Sequence, residues 1–254
     1  MRKIVASLVL SAGLILAVGP ALASGDAVKL PTRDWGWYGV FGNYDQKQLK
    51  RGFQVFKDVC ANCHSMKLVA YRNLAALGFS EDEIKAIAAE KEVTDGPNDE
   101  GAMFQRPARP SDRIVAPFPN DKAARAAFNG ALPPDLSLIN KARVSGPDYV
   151  FALLNGYGEP PAGASVADGM NWNKYFPGNQ IGMPPQLVDD LVTYADGTKA
   201  SVEQIGVDVV TFLNWAAEPE LGERKSMGLK VMIFLLLLTG LLYALKKQIW
   251  SDVH

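Results

Sequence analysis

The sequence predicts a mainly α-helical domain with long loop insertions, carried on one C-terminal transmembrane helix. Three observations lead there. Apolar residues recur at helical spacing at Leu49, Phe53 and Phe56, and again at Ile205, Val209, Phe212 and Leu213. Between these two segments lie long stretches rich in Gly and Pro, with only short helical patterns between them. Near the end, Met227 to Leu245 is apolar apart from Lys230 and Thr239. At about 1.5 Å rise per residue such a run nearly spans a ~30 Å hydrocarbon core. The balance of 26 basic and 27 acidic side chains, formal net charge −1, leaves no nucleic-acid footprint.

The elements follow in order. Met1-Arg2-Lys3, the apolar stretch to Val18 and the small-x-small site Ala21-Leu22-Ala23 read as a signal peptide over residues 1–23. An uncleaved anchor is the alternative. Residues 24–225 then form an extracytoplasmic domain. Asp45-Gln46 opens a helix that runs to Cys60. Further helices are expected over Glu81 to Glu90, Asp121 to Phe128 and Asp148 to Asn155. Gly96 to Asn120, with five prolines, and Gly156 to Gln186 are expected to be ordered loop. Ser201 should cap the next helix, with Gln204 returning the bond at N3, and that helix stops before Pro219. The first and last helices of the domain are expected to cross, with Gly52 or Gly206 at the close approach. Residues 226–247 form the anchor and 248–254 a short tail. Arg224 and Lys225 before the span and Lys246 and Lys247 after it leave the charge rule undecided. Orientation is therefore set by the signal peptide, with the domain outside the bacterial cytoplasmic membrane and the tail inside.

The chemistry is concentrated in Cys60-Ala61-Asn62-Cys63-His64, which holds the chain's two cysteines and its one non-terminal histidine. C-x-x-C-H is the attachment signature for covalent c-type haem. A structural zinc site needs about four ligands and the sequence offers no second cluster. A thioredoxin-like dithiol would want a βαβ context. An N-terminal helix entering C-x-x-C-H and a C-terminal helix crossing it describe a class I c-type cytochrome core, here with long loop insertions. Export agrees with this, because bacterial haem attachment occurs outside the cytoplasmic membrane.

A six-coordinate iron needs a second axial ligand, usually Met or His in electron carriers. His254 lies beyond the membrane span, Met1 leaves with the signal peptide, and Met227 and Met232 belong to the anchor. Met66 is too close to His64 to reach the opposite face. Met183, in Gly182-Met183-Pro184-Pro185, is the leading candidate, with Met170 and Met103 as alternatives. The metal ligands are thus expected to be His64 and Met183. The stretch Arg125 to Ser137 is the other haem-lining candidate. A proline carbonyl, assigned to Pro133, suits the Nδ1–H of His64, Leu132 and Leu136 suit the ring, and Arg125 suits a propionate. With both axial positions filled, the site passes electrons and does not catalyse bond chemistry.

Trp35 to Gly42, the run Gly52 to Met66, Ala131 to Ser137 and Ile181 to Leu187 together resemble the cytochrome c1 family over essentially the whole mature chain. The resemblance implies haem c held by Cys60 and Cys63, His64 and Met183 as axial ligands, and Arg125 at a propionate. It also implies a role in a respiratory or photosynthetic bc1 complex. The partners would be cytochrome b, a Rieske iron–sulfur protein as donor, and a soluble or membrane-tethered cytochrome c as acceptor. The family pattern usually has Asn where Phe128 stands and Ala where Gly182 stands. Other readings are an anchored cytochrome of a different oxidase or reductase and a haem sensor whose Met departs. The acid-rich run Glu81 to Glu100 is either solvated surface or a docking field for a basic partner.

Overall fold

The computed structural model describes residues 28–251. The expected signal peptide and His254 lie outside them. Helix α1 spans Gln46–Asp58 and is capped by the Asp45 side chain on Lys47 N–H at 2.8 Å. It ends short of Cys60, and the 3-10 turn Cys60–Asn62 follows. A second 3-10 segment, Tyr71–Leu77, precedes α2 (Glu81–Ala89). Strands β1 (Glu92–Asp95) and β2 (Phe104–Pro107) pair antiparallel, with Thr94 opposite Gln105. Then come α3 (Asp121–Ala127), α4 (Ile139–Ala142) and α5 (Gly146–Asn155). Strands β3 (Asn171–Trp172) and β4 (Gln180–Ile181) form a second antiparallel pair. Helices α6 (Val202–Ala217) and α7 (Leu221–Ile249) complete the chain. The predicted class holds: the fold is mainly α with one transmembrane helix.

Helix α1 crosses α6 because both bury aromatic faces at one place. Phe53 and Phe56 meet Phe212 at 5.6 and 5.4 Å between ring centres, and Phe212 stacks on Trp215 at 5.7 Å. Gly52 is the residue at the contact. A Cβ there would lie 2.0 Å from the Asp208 carbonyl oxygen. Gly206 instead faces α5, where an added Cβ would lie 3.0 Å from Asn155 Nδ2. The crossing also holds a buried ion pair: Arg51 grips fully buried Asp208 with two bonds of 2.9 and 3.1 Å, and Asp196 with a third at 2.8 Å. A bidentate guanidinium–carboxylate pair fixes the rotation of both helices.

Three expectations need correction. Ser201 does accept from Gln204 N–H at 3.2 Å, but the Gln204 side chain turns forward to Asp208 at 2.9 Å, so no reciprocal box forms. There its Nε2 donates to a buried carboxylate, a charge-assisted bond. The expected loop from Gly96 contains β2, whose register is held by Gln105 bonding Thr94 at 2.7 Å and by Arg106 bridging Asp95 and Asp112. Those are polar cross-strand contacts, which an apolar pattern does not reveal. The loop Gly156 to Gln186 likewise contains β3 and β4.

Helix α7 is continuous from Leu221 to Ile249, so residues 225 and 226 fall within one helix. Its apolar window is unburied by the other described residues, as a lipid-facing helix requires. Its first turns are docked: Leu221 is buried, and Lys225 Nζ donates to the carbonyls of Trp37, Gly39 and Gly42 at 2.6, 2.6 and 2.9 Å.

Candidate haem site and family

The C-terminal end of α1 delivers Cys60. The following 3-10 turn is closed by Cys63 N–H and His64 N–H on the Cys60 carbonyl, at 3.1 and 2.9 Å. Residues three apart on such a turn eclipse one another, so the spacing places both thiols on one side. The cysteines are free of any disulfide. Burial pushes the Cys60 thiol up to about 12 and raises Cys63 as well. A redox dithiol needs the opposite shift, toward the thiolate. No group of three or more His, Cys, Asp or Glu side chains converges among the described residues.

His64 is held from the far side. Its Nδ1 lies 2.8 Å from the Pro134 carbonyl oxygen. A carbonyl can only accept, so Nδ1 carries the proton and Nε2 presents a lone pair. Burial lowers the imidazole pKa, against the opposing pull of the Pro134 carbonyl, and so favours the neutral, ligating form. The acceptor is Pro134 and not the expected Pro133. The register is set by the next residues, where Leu136 N–H bonds the Ser65 carbonyl at 2.8 Å and Asp135 grips the segment after His64.

That grip depends on side chains the sequence reading did not single out. Asp135 accepts from Ser65 Oγ at 2.7 Å, Lys67 N–H at 2.9 Å and Ser137 N–H at 2.9 Å. Burial works against its charge, but these donors win and hold its carboxyl below the ordinary value. Fully buried Ser137 accepts from Leu68 N–H at 3.0 Å. An Asp two residues before a Ser is a turn signal that could have marked the pair.

The other candidates are placed as follows. Leu136 is buried in the main core, whereas Leu132 and Pro133 are half-buried. Arg125 is exposed and donates one bond, 2.8 Å, to the Gly130 carbonyl, leaving its other guanidinium nitrogens unengaged among the described residues. Phe128 packs edge-on against Phe118 at 5.5 Å, an apolar contact that Asn could not make. Met183 is half-buried, just after β4, and its carbonyl accepts from Tyr157 Oη at 2.9 Å. Met170 lies beside it: its sulfur is 3.9 Å from where a Cβ on Gly182 would stand. Met103 is exposed on the β1–β2 hairpin and Met66 is wholly buried in the core. Asn173, fully buried, ties this region together through Leu153 O, Tyr175 N–H and Phe176 N–H. A donor set of two free thiols, a tautomer-fixed imidazole, a half-buried thioether at Met183 and an exposed one at Met170 fits one covalently held haem.

The acid-rich run is partly consumed inside the chain. Glu83 caps α2 with Ser80, Glu90 meets Lys57 at 2.8 Å, Asp82 meets Lys85 at 3.3 Å and Asp95 meets Arg106. Glu81, Glu92, Asp99 and Glu100 are exposed and make no ion pair among the described residues. A cleft of about 450 Å³ beside α1 is lined by Lys47, Lys50, Lys57, Asp58 and Phe79, and none of Cys60, Cys63 and His64 lines it.

Comparison with known proteins agrees with this geometry. A model of the cytochrome C1 family matches residues 35–253. Cytochrome c1 of Rhodospirillum rubrum is 55% identical over 270 residues, covering 100% of this chain and 99% of the relative. Cytochrome c1 2, heme protein, mitochondrial, of Arabidopsis thaliana is 53% identical over 225 residues, covering 88% of this chain and 73% of the relative. Cytochrome b/c1 of Bradyrhizobium diazoefficiens is 44% identical over 277 residues, covering 100% of this chain and 40% of that longer protein. With the match running from the first buried tryptophan through the haem site and the membrane helix, the chain belongs to the cytochrome C1 family.

Proposed function

We propose that this chain is the haem-bearing subunit of a quinol–cytochrome c oxidoreductase, the bc1 complex. It accepts single electrons from a Rieske iron–sulfur protein and passes them to a soluble or membrane-tethered cytochrome c. The observation that carries this reading is the His64–Pro134 bond directly after the two free thiols, because it leaves Nε2 ready as an axial ligand. Haem, when bound, supplies the one-electron iron couple. Cys60 and Cys63 would provide the thioether sulfurs, and His64 and Met183 would hold the iron, where a thioether donor favours Fe(II) and so a higher potential. Tyr157 restrains the Met183 backbone. Arg125, with guanidinium donors to spare, pairs with a propionate, and Leu132, Leu136 and Pro133 line the ring.

The name of the Bradyrhizobium relative joins b and c1 in one protein, which supports cytochrome b as the partner against which the anchor assembles. The domain of residues 24–225 lies on the periplasmic side of the bacterial cytoplasmic membrane, after removal of residues 1–23. The span is 226–247 and the tail 248–254 is cytoplasmic. Purification from membranes in mild detergent tests the whole reading. The expected result is copurification with cytochrome b and an iron–sulfur subunit, and reduction of this haem on adding quinol. A haem that copurifies with neither subunit, or stays oxidised with quinol present, overturns it.

A further inference from the structure

Beyond the haem site, the segment Trp37 to Gly42 forms a rigid loop with its apolar tip turned outward. Trp37 is buried and stacks on Trp35 at 4.7 Å, whereas Val40 and Phe41 are 63% and 82% exposed. Gly42 admits no side chain, since a Cβ would lie 1.9 Å from the Tyr38 carbonyl oxygen. The three Lys225 bonds already described use every donor of one ammonium group and clamp this loop to α7. A loop held this firmly cannot fold its two exposed apolar side chains back into the domain.

Val40 and Phe41 share a hollow of about 200 Å³ with Gly222, Lys225, Ser226 and Leu229 of α7. That part of the helix covers about 10 Å of axis. It begins in the charged collar Glu223-Arg224-Lys225 and ends inside the apolar run that starts at Met227. The tip therefore stands beside the helix at the level where water gives way to hydrocarbon. Apolar side chains of interfacial elements enter a bilayer by about 5–10 Å.

We propose that Val40 and Phe41 form a membrane-inserted wedge. Together with the Lys225 clamp, it gives the domain a second lipid contact beside α7 and limits its tilt on the anchor. The occupant of this face is the headgroup–acyl boundary of the bilayer, continuous with the lipid-facing surface of the helix. The inference rests on α7 spanning the membrane and is independent of the haem ligands.

The test uses the full-length haem-loaded chain and the assembled complex, each in phosphatidylcholine nanodiscs. With Cys60 and Cys63 bound as thioethers, Phe41→Cys carries the chain's one free thiol for a nitroxide label. Val40→Cys serves as a second site and Asp99→Cys as the aqueous control. In the complex, labelling of the unsubstituted sample is subtracted. The expected result is that oxygen relaxes the label at 41 and 40 several-fold more, relative to a water-soluble nickel chelate, than at 99. A ratio at 41 equal to that at 99 places the tip in water and overturns the proposal. Exclusion of both reagents in the complex overturns it too, because the face is then covered by another subunit. Either result would leave quinol-driven reduction of the haem unaffected, so failure here is distinct from failure of the electron-transfer reading.

Discussion

In the proposed haem site Met183 would ligate and Asp135 would brace the backbone, and single substitutions distinguish the two tasks. Leu in place of Met183 keeps the size and removes the sulfur, while Cys60 and Cys63 still attach the ring. Met183→Leu should leave haem bound, open the iron to carbon monoxide and lower the midpoint potential by roughly 0.1 V or more, within the ~0.8 V range that axial ligands span. Redox titration and a carbon monoxide difference spectrum check this. An unchanged spectrum would move the sulfur to Met170, whose side chain packs beside Gly182, or to Met103. Asp135 braces the segment after His64: its carboxylate accepts from Ser65 Oγ and Lys67 N–H there and from Ser137 N–H in its own turn. Asp135→Ala leaves them without an acceptor and should cost about 1–3 kcal/mol in urea unfolding. Asp135→Asn keeps an acceptor oxygen and should cost less.

Among the elements, the α1–α6 crossing is the least forgiving. Gly52→Ala would press a methyl to 2.0 Å from the Asp208 carbonyl and 2.7 Å from Phe212 Cβ, both on the partner helix. A destabilisation of about 3 kcal/mol or more is expected in thermal unfolding. Gly206→Ala meets only side-chain atoms of Asn155 and Phe151 at 3.0 and 3.2 Å. Those can yield, and the gain in helix propensity, up to ~1 kcal/mol, should make it nearly neutral. The β1–β2 hairpin is held by charge instead. Bonding from Arg106, and then from the Arg109 N–H, draws the Asp112 carboxyl down to about 2. A depressed folded-state value stabilises fully above the unfolded-state value near ~4 and is lost as pH falls toward 2. Hairpin amides should therefore exchange faster, relative to the rest of the domain, as pH drops through that window. Arg106→Gln should raise exchange already at neutral pH and flatten the dependence.

For the whole molecule, the junction between domain and anchor decides what can be separated. A chain ending at Ser226 keeps buried Leu221 and the Lys225 clamp, and should be released as a soluble, folded haem domain. A chain ending at Pro219 loses both. Removing one buried Leu alone costs about 1.5–3 kcal/mol, and the Trp37, Gly39 and Gly42 carbonyls lose their donor. Denaturant titration of the two truncated forms should show the shorter one markedly weaker. Equal stability would mean that the first turns of α7 contribute only to membrane insertion.

The sequence by itself determined the helices with strong apolar period, the C-x-x-C-H centre, the candidate thioethers and the membrane span. Each of these is local: a spacing of 3.6, a five-residue motif, an uninterrupted apolar run. What only the tertiary structure decided depends on groups far apart in the chain. It chose Gly52 over Gly206 at the crossing, because the partner helix approaches one face of α1. It assigned the His64 bond to Pro134 and not Pro133, because Asp135 and Leu136 set the register 70 residues away. It revealed the Arg51–Asp208 pair, separated by 157 residues, and a hairpin held by polar contacts that carry no periodic signal. It also showed that the stretch before Met227, polar in sequence, is the docked first part of the membrane helix. A one-dimensional pattern records which face is apolar, and the identity of the surface that meets it is settled only when the chain closes on itself.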